Sequence, residues 1–169
     1  MRTLIAFLMI LSFASCKKAD DKSESADWTN KIKALYIHNE SKLSISEGIW
    51  GTITRRDGNC MPVVDSAHTT CKEIPAQRSV YVYEYTTIKD INGSMKNFTA
   101  PATQLKAVIK TDAEGFYELK IAPGTYSIFV EENGTFYAGY GDGNGGLNPV
   151  TVIAGQVSTG HIVLDYAVY

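Results

Sequence analysis

The sequence predicts an all-β protein whose body is a single β-sandwich of seven to eight short strands. The 169-residue chain contains ten Tyr and 14 Gly, a composition that favours strands separated by turns. From residue 48 onward, apolar and polar residues alternate with a period of two, which a sheet with one buried face requires. Glycine and proline interrupt this alternation at short intervals, as is typical of sandwiches.

The first 15 residues predict a secretory signal peptide. A charged residue, Arg2, precedes an apolar run, and the run ends in two small residues. Cys16 follows directly, so the segment resembles the lipobox of bacterial lipoproteins. The resemblance implies that Cys16 carries lipid, such as palmitate, and anchors the protein to a membrane. We therefore expect an outer-membrane lipoprotein of the bacterial cell envelope that faces the periplasm or the cell surface.

Residues 16–47 are expected to link this anchor to the sandwich. The stretch just after Cys16 is polar and lacks apolar periodicity, which is typical of a flexible tether. Apolar residues then recur at helical spacing: Trp28, Ile32, Leu35 and Tyr36. This spacing predicts a short helix that packs against the domain formed by residues 48–169.

Strands are predicted wherever the alternation is uninterrupted. Eight segments qualify: 48–55, 79–86, 105–110, 116–121, 125–131, 135–140, 149–153 and 161–169. Asp112 and Gly115 favour a turn before the fourth segment, and Pro123-Gly124 fits a type II turn before the fifth. These turns predict that the third, fourth and fifth strands form a meander.

Three stretches of the body follow a known order. They are GIWGTI at 48–53, TDAEGFYEL at 111–119 and IAPGTYSI at 121–128. Together they resemble the carboxypeptidase regulatory-like domain, a transthyretin-like sandwich of Ig-like architecture. The resemblance covers about residues 48–165 and implies an accessory or binding module. Residues 57–78 and 87–104 depart from the family pattern and are expected to be loops.

Cys60 and Cys71 are predicted to form a disulfide, because an exported chain matures in an oxidising compartment. The alternative is a zinc site made of these two cysteines with His68 and Asp65. The same stretch reads Asp-Ser-Ala around Ser66 and resembles a bacterial O-glycosylation motif. Ser66 is therefore a candidate for glycan attachment.

Aromatic side chains supply the candidate binding surface. Tyr81, Tyr83 and Tyr85 form a stripe on one predicted strand, and Tyr137 and Tyr140 precede a glycine-rich loop. Exposed Tyr rings suit protein interfaces and can stack on sugars. Two interpretations of the stripe stay open: it is exposed and binds a partner, or it faces the core and is structural.

The remaining candidates concern metal binding and catalysis. Asp142 and Asn144 are candidate calcium ligands, although their loop lacks the terminal Glu of an EF-hand. His161 and Asp165 share the outward face of the last predicted strand, but no nucleophile, phosphate-loop or dinucleotide motif accompanies them. We therefore expect no enzyme, no cofactor and no bound metal.

The partner class follows from charge and from the expected location. The net charge of −2 predicts no nucleic-acid partner. We expect a lipid-anchored, non-catalytic module that binds another envelope protein or a glycan. A purely structural envelope scaffold is the alternative, and a hydrolase on this fold is the third hypothesis.

Overall fold

The structure is a computed structural model that describes residues 26–62 and 69–169. The predicted signal peptide, Cys16 and Ser66 lie outside the described residues. Within them, twelve strands form two sheets and one α-helix packs against the first sheet, which confirms the predicted all-β sandwich. The strands outnumber the predicted seven to eight because four further strands, of two to four residues each, lie outside the predicted segments. In these two ranges, no helix has the length and apolar character needed to cross a membrane.

The first sheet is built around β1 (Gly48–Asp57). Along one edge of β1 run β11 (Val157–Thr159) and β12 (Ile162–Asp165), both parallel to it. Along the other edge run β2 (Lys72–Pro75) and β7 (Phe116–Leu119), both antiparallel. Because β1 is paired on both edges and covered on both faces, its first seven residues are buried.

The second sheet is built around β8 (Gly124–Glu132). On one side β8 pairs with β3 (Ser79–Glu84), and β6 (Leu105–Lys110) pairs with the far edge of β3. On the other side β8 pairs with β10 (Pro149–Val152) at one end and with β9 (Thr135–Tyr137) at the other. All of these pairings are antiparallel.

Two stretches that were expected to be loops contain strands. The 87–104 connection forms a hairpin of β4 (Gly93–Ser94) and β5 (Asn97–Phe98), and β5 joins the second sheet beside β9. The 57–78 stretch contains β2. Strands of two to four residues are too short to show a period of two, so the sequence pattern does not reveal them.

The main core lies between the two sheets and confirms the alternation read from the sequence. Its fully buried members include Ile49, Ile53, Val80, Val82, Tyr117, Ile128, Val130 and Leu164. A second, smaller core lies on the opposite face of the second sheet, beneath the β4–β5 hairpin. Its buried members are Tyr83, Phe98, Phe129, Phe136, Ala138 and Leu147.

The predicted meander is wrong. β6 and β8 lie on either side of β3, and β7 belongs to the opposite sheet. The turn itself is as predicted, because Asp112 Oδ1 accepts hydrogen bonds from the backbone N–H groups of Glu114 and Phe116, and Gly115 has a φ of 72°. The turn carries the chain across the sandwich instead of reversing it within one sheet. The type II turn at Pro123-Gly124 is absent, since Gly124 already begins β8 with a φ of 159°.

The predicted helix is present as α1 (Ile32–Glu40) and covers the outer face of the first sheet. Leu35 and Asn39 are the helix residues that are buried completely. The Asn39 Nδ2 group donates to Thr52 Oγ1 over 2.9 Å and to the Glu114 carbonyl over 3.0 Å. The helix thereby buries Thr52, a polar residue on the side of β1 that faces away from the main core.

Candidate functional site

A cleft opens where the edge of the first sheet meets the end of the second. Its volume is about 220 Å³. We call it the Tyr140 cleft, and its lining consists of Lys96, Tyr137, Gly139, Tyr140, Asn148, His161, Ile162, Val163 and Asp165. The cleft therefore unites two tyrosines predicted for binding with the two residues considered for catalysis.

Tyr140 is held at the cleft by its neighbours. Its backbone N–H donates to Asn148 Oδ1 over 2.8 Å, and its hydroxyl donates to the Pro149 carbonyl over 3.0 Å. Asn148 is buried, and its own amide nitrogen donates to the Ile128 carbonyl in β8. With its backbone N–H and its hydroxyl both fixed in this way, Tyr140 as a residue remains 48% exposed.

Tyr137 is a buried, structural residue of the cleft wall. The side chain is only 1% exposed, and its hydroxyl accepts a hydrogen bond from the Asp165 backbone N–H over 3.0 Å. The ring of Tyr166 lies 6.2 Å away, between ring centres. Tyr137 thus ties the end of β9 to the end of β12 and offers little surface to a ligand.

Charged groups lie along one side of the cleft. The Asp165 carboxylate accepts from the Tyr169 hydroxyl, at 3.2 and 3.1 Å to its two oxygens. The Lys96 Nζ group donates to the Asp165 carbonyl over 3.3 Å. The cleft therefore offers a fixed aromatic ring beside both a cation and an anion.

His161 is enclosed between the first sheet and the helix. Its ring stacks on Tyr36 with a centre-to-centre distance of 4.0 Å and meets Trp50 edge-on at 5.0 Å. Its Nδ1 accepts a hydrogen bond from the Thr52 backbone N–H over 2.9 Å. Burial lowers the pKa of His161 to about 4, so the ring is neutral near pH 7 and carries its proton on Nε2.

No hydrogen bond joins His161 to Asp165 in the described part of the chain. The Nδ1 atom, which a catalytic carboxylate would have to orient, is already occupied by the Thr52 N–H group. The carboxylate is occupied by Tyr169. The pair therefore lacks the arrangement that a carboxylate and an imidazole need to act together in acid–base chemistry.

The tyrosine stripe of β3 fits neither interpretation completely, because both faces of this strand are covered. Val80 and Val82 face the main core, and Tyr83, only 5% exposed, lies in the second core. Tyr81 is half-buried and its hydroxyl donates to Glu131 Oε2 over 2.6 Å. Tyr85, just beyond the strand, is 37% exposed. The three residues form no continuous exposed surface.

The two candidate calcium ligands lie in an exposed loop that Asp142 organises. Asp142 Oδ1 accepts from the backbone N–H groups of Asn144 and Gly146, and Oδ2 accepts from the Tyr85 hydroxyl. The tyrosine hydroxyl and these amides lower the pKa of Asp142. Its oxygens thus serve to close the loop. Among residues 26–62 and 69–169, no group of three His, Cys, Asp or Glu side chains is placed to hold a metal ion.

The disulfide prediction is confirmed. Cys60 and Cys71 are bonded, with a Cα–Cα distance of 4.7 Å. Because both sulfurs are in the disulfide, neither is a thiolate available to zinc, which removes the basis of the alternative zinc site. His68, Asp65 and Ser66 fall outside the described residues.

Sequence reasoning missed two groups, Lys96 in the lining of the cleft and Tyr169, which donates to the Asp165 carboxylate. Lys96 lies in a connection without periodicity, so no signal pointed to it. Tyr169 was missed because the last strand was predicted to run to residue 169, whereas β12 ends at Asp165. No protein-family model, curated protein or solved structure matches this chain. The likeness to carboxypeptidase regulatory-like domains therefore stays a prediction.

Proposed function

We propose that the protein is a lipid-anchored cell-envelope protein whose sandwich acts as a non-catalytic binding module, with a glycan held in the Tyr140 cleft. The observation that carries this proposal is Tyr140, a half-exposed residue fixed by Asn148 and Pro149 at the cleft. A ring that is already immobilised loses little conformational entropy when a ligand stacks on it.

The surroundings of Tyr140 suit the mixed chemistry of a sugar. A sugar ring presents a C–H face that can stack on an aromatic ring, and hydroxyls that need donors and acceptors. Lys96 supplies a donor and Asp165 supplies an acceptor in the same cleft. The volume of about 220 Å³ is below the roughly 300–1,000 Å³ of pockets that enclose drug-sized ligands, so it fits a single sugar ring of a longer chain.

A protein partner is favoured less by the same observations. The predicted stripe of tyrosines would have provided a broad aromatic patch, but Tyr83 is buried and Tyr81 is half-buried. What remains around Tyr140 is a small concave site with charged walls. A hydrolase is favoured less because His161 and Asp165 are each engaged elsewhere.

An oligosaccharide array tests this proposal. The full-length chain, purified in detergent, is applied to neutral and acidic oligosaccharides, and each bound oligosaccharide is then titrated by calorimetry. We expect Tyr140→Ala to weaken binding about tenfold through loss of stacking, and Tyr140→Phe to retain most of the affinity. Ile153→Ala, which changes another exposed side chain, is the matched control.

Three outcomes would contradict the glycan assignment. Binding that survives Tyr140→Ala would place the ligand elsewhere. A chain that binds no oligosaccharide but crosslinks to one envelope protein in stoichiometric amount would make it a protein-binding module. A chain with neither ligand nor partner would favour the scaffold alternative.

The anchor is tested separately from the sandwich. Cells are fed labelled palmitate, and label is expected on the wild-type chain but not on a Cys16→Ser variant. Label that persists in Cys16→Ser, or a wild-type chain released in soluble form, would overturn the proposed anchor. Protease treatment of intact cells then separates a surface location, where the domain is cleaved, from a periplasmic one.

A further inference from the structure

Lys96 occupies the cleft because a short hairpin is fixed in place. It lies with Met95 in the two-residue turn between β4 and β5. The Met95 carbonyl accepts a hydrogen bond of 2.7 Å from the Ala138 N–H, just after β9. Phe98 of the same hairpin is 1% exposed, and its ring meets that of Phe129 edge-on in the second core. The turn that carries Lys96 is therefore held at both its tip and its base.

The ammonium group of Lys96 contrasts with four basic groups of the described residues that are paired with carboxylates. Lys42, Arg56, Arg78 and Lys106 each lie within 4.0 Å of a carboxylate. In the part of the chain that the structure describes, Lys96 has no such carboxylate, and its one hydrogen bond goes to a neutral carbonyl. This cation therefore keeps most of its capacity to bind an anion.

The nearby Asp165 carboxylate is not the anion that pairs with the Lys96 ammonium group. It is held by the Tyr169 hydroxyl, and this hydroxyl in turn accepts from the Arg56 guanidinium over 3.0 Å. The Asp165 carboxylate thus belongs to a chain of hydrogen bonds that runs through Tyr169 to Arg56. His161 contributes no charge near pH 7 because burial lowers its pKa to about 4. Among the described residues that line the cleft, Lys96 is the one cationic group.

We propose that the glycan bound in the Tyr140 cleft is anionic, and that Lys96 binds its carboxylate or sulfate group while the sugar ring stacks on Tyr140. This inference rests on the proposed function. A neutral sugar leaves the ammonium group paired only with a carbonyl and water. An acidic sugar supplies the charge-assisted hydrogen bond that no described carboxylate supplies.

The test compares oligosaccharides that differ in charge. The full-length chain in detergent is titrated with a neutral galactose hexasaccharide, its sulfated counterpart and a galacturonate hexasaccharide. We expect at least one acidic form to bind about fivefold or more tightly than the neutral form, and this preference to shrink as salt rises from 50 to 500 mM (roughly a threefold shorter Debye length). Lys96→Gln should abolish the preference and Lys96→Arg should keep it. Lys120→Gln, which changes an exposed lysine outside the cleft lining, should have no effect.

The results separate this inference from the proposed function. Equal binding of neutral and acidic forms that is lost in Tyr140→Ala would overturn the charge preference and leave the glycan module intact. An acidic preference that survives Lys96→Gln would overturn the role of Lys96. If no oligosaccharide binds here or on the wider array, the proposed function fails and the inference fails with it.

Discussion

The Thr52 backbone N–H donates to Nδ1 of His161 over 2.9 Å, so a side chain takes a place that a strand carbonyl would fill in a regular ladder. β1 pairs with β11 up to Trp50 and with β12 from Ile53, and the two pairings keep one register. Between them, the Gly160 carbonyl accepts from the buried Tyr117 hydroxyl instead. Because the Gly160 carbonyl accepts from Tyr117, it is not the acceptor for the Thr52 N–H group. Nδ1 of His161 is that acceptor instead.

We expect His161→Ala to lower the free energy of unfolding by about 3 kcal/mol. It leaves the N–H of Thr52, a residue with no exposed surface, without an acceptor, which costs about 1–3 kcal/mol, and it removes the stack on Tyr36. His161→Asn keeps an acceptor near the position of Nδ1 and should lose about half as much. Urea denaturation measures both. Equal losses in the two variants would show that the hydrogen bond adds nothing.

The stability of the fold should depend on pH through the same residue. The pKa of His161 is about 4 in the folded chain, against 6.5 for an ordinary histidine, because the ring is buried. The unfolded chain therefore takes up a proton at a higher pH than the folded chain does. This residue's contribution is fully present above pH 6.5 and is lost as pH falls towards 4.

Urea denaturation at pH 7.0, 5.5 and 4.5 measures this effect. The free energy of unfolding should fall over this interval, and the fall should be smaller in His161→Asn. His38→Asn, which changes an exposed histidine of α1, serves as the control and should fall like the wild type. An identical pH profile in all three proteins would contradict a buried neutral His161.

Gly51 should tolerate no side chain. A Cβ at this position would lie 2.3 Å from the Gly160 carbonyl oxygen and 2.7 Å from Cε1 of Tyr117, where β1 crosses the Tyr117 ring. Neither the strand backbone nor a fully packed ring can move aside freely, so Gly51→Ala should cost about 2–3 kcal/mol. In Gly139→Ala the nearest atoms would be at 3.7 Å, and the stability should barely change. Thermal unfolding of both variants checks this, and a matching loss in both would remove the steric explanation.

The sequence was sufficient to locate the longer strands and, in strands such as β8, the direction of their side chains. In β8, Tyr126, Ile128 and Val130 face the main core, as their period of two predicts. The pairing of strands was not predictable in the same way. Turn residues such as Asp112 and Gly115 fix where the chain turns, but they carry no information on which sheet the next strand joins. That choice depends on contacts such as the burial of Tyr117 against Gly51, which are remote in sequence.

The candidate site could be predicted in part for the same reason. Tyr140 was found because an aromatic residue beside a glycine-rich loop is a local signal. The burial of Tyr83 stayed one of two open interpretations, because the second core that it joins includes Phe98, which lies in a hairpin of two-residue strands. Lys96 reaches the cleft on that same hairpin. The open interpretation of Tyr83 and the missed Lys96 therefore have one physical cause, a short element that shows no periodicity and that tertiary contacts alone stabilise.

Asn30 should be the residue that attaches the segment before α1 to the edge of the first sheet. Its side chain accepts from the Glu73 N–H over 2.7 Å and donates to the Cys71 carbonyl, while its own N–H donates to the Glu73 carbonyl. Asn30 also has a φ of 57°, which asparagine tolerates better than most residues. We expect Asn30→Ala to lose about 1–2 kcal/mol through the side-chain bonds and the backbone strain together. Asn30→Gly also removes the side-chain hydrogen bonds, but glycine adopts a positive φ without strain, so this variant should lose less stability than Asn30→Ala.

Hydrogen exchange at the Glu73 amide is the direct measurement, since it should accelerate in both variants. Unchanged protection of that amide would mean that the hydrogen bonds of Asn30 do not stabilise β2.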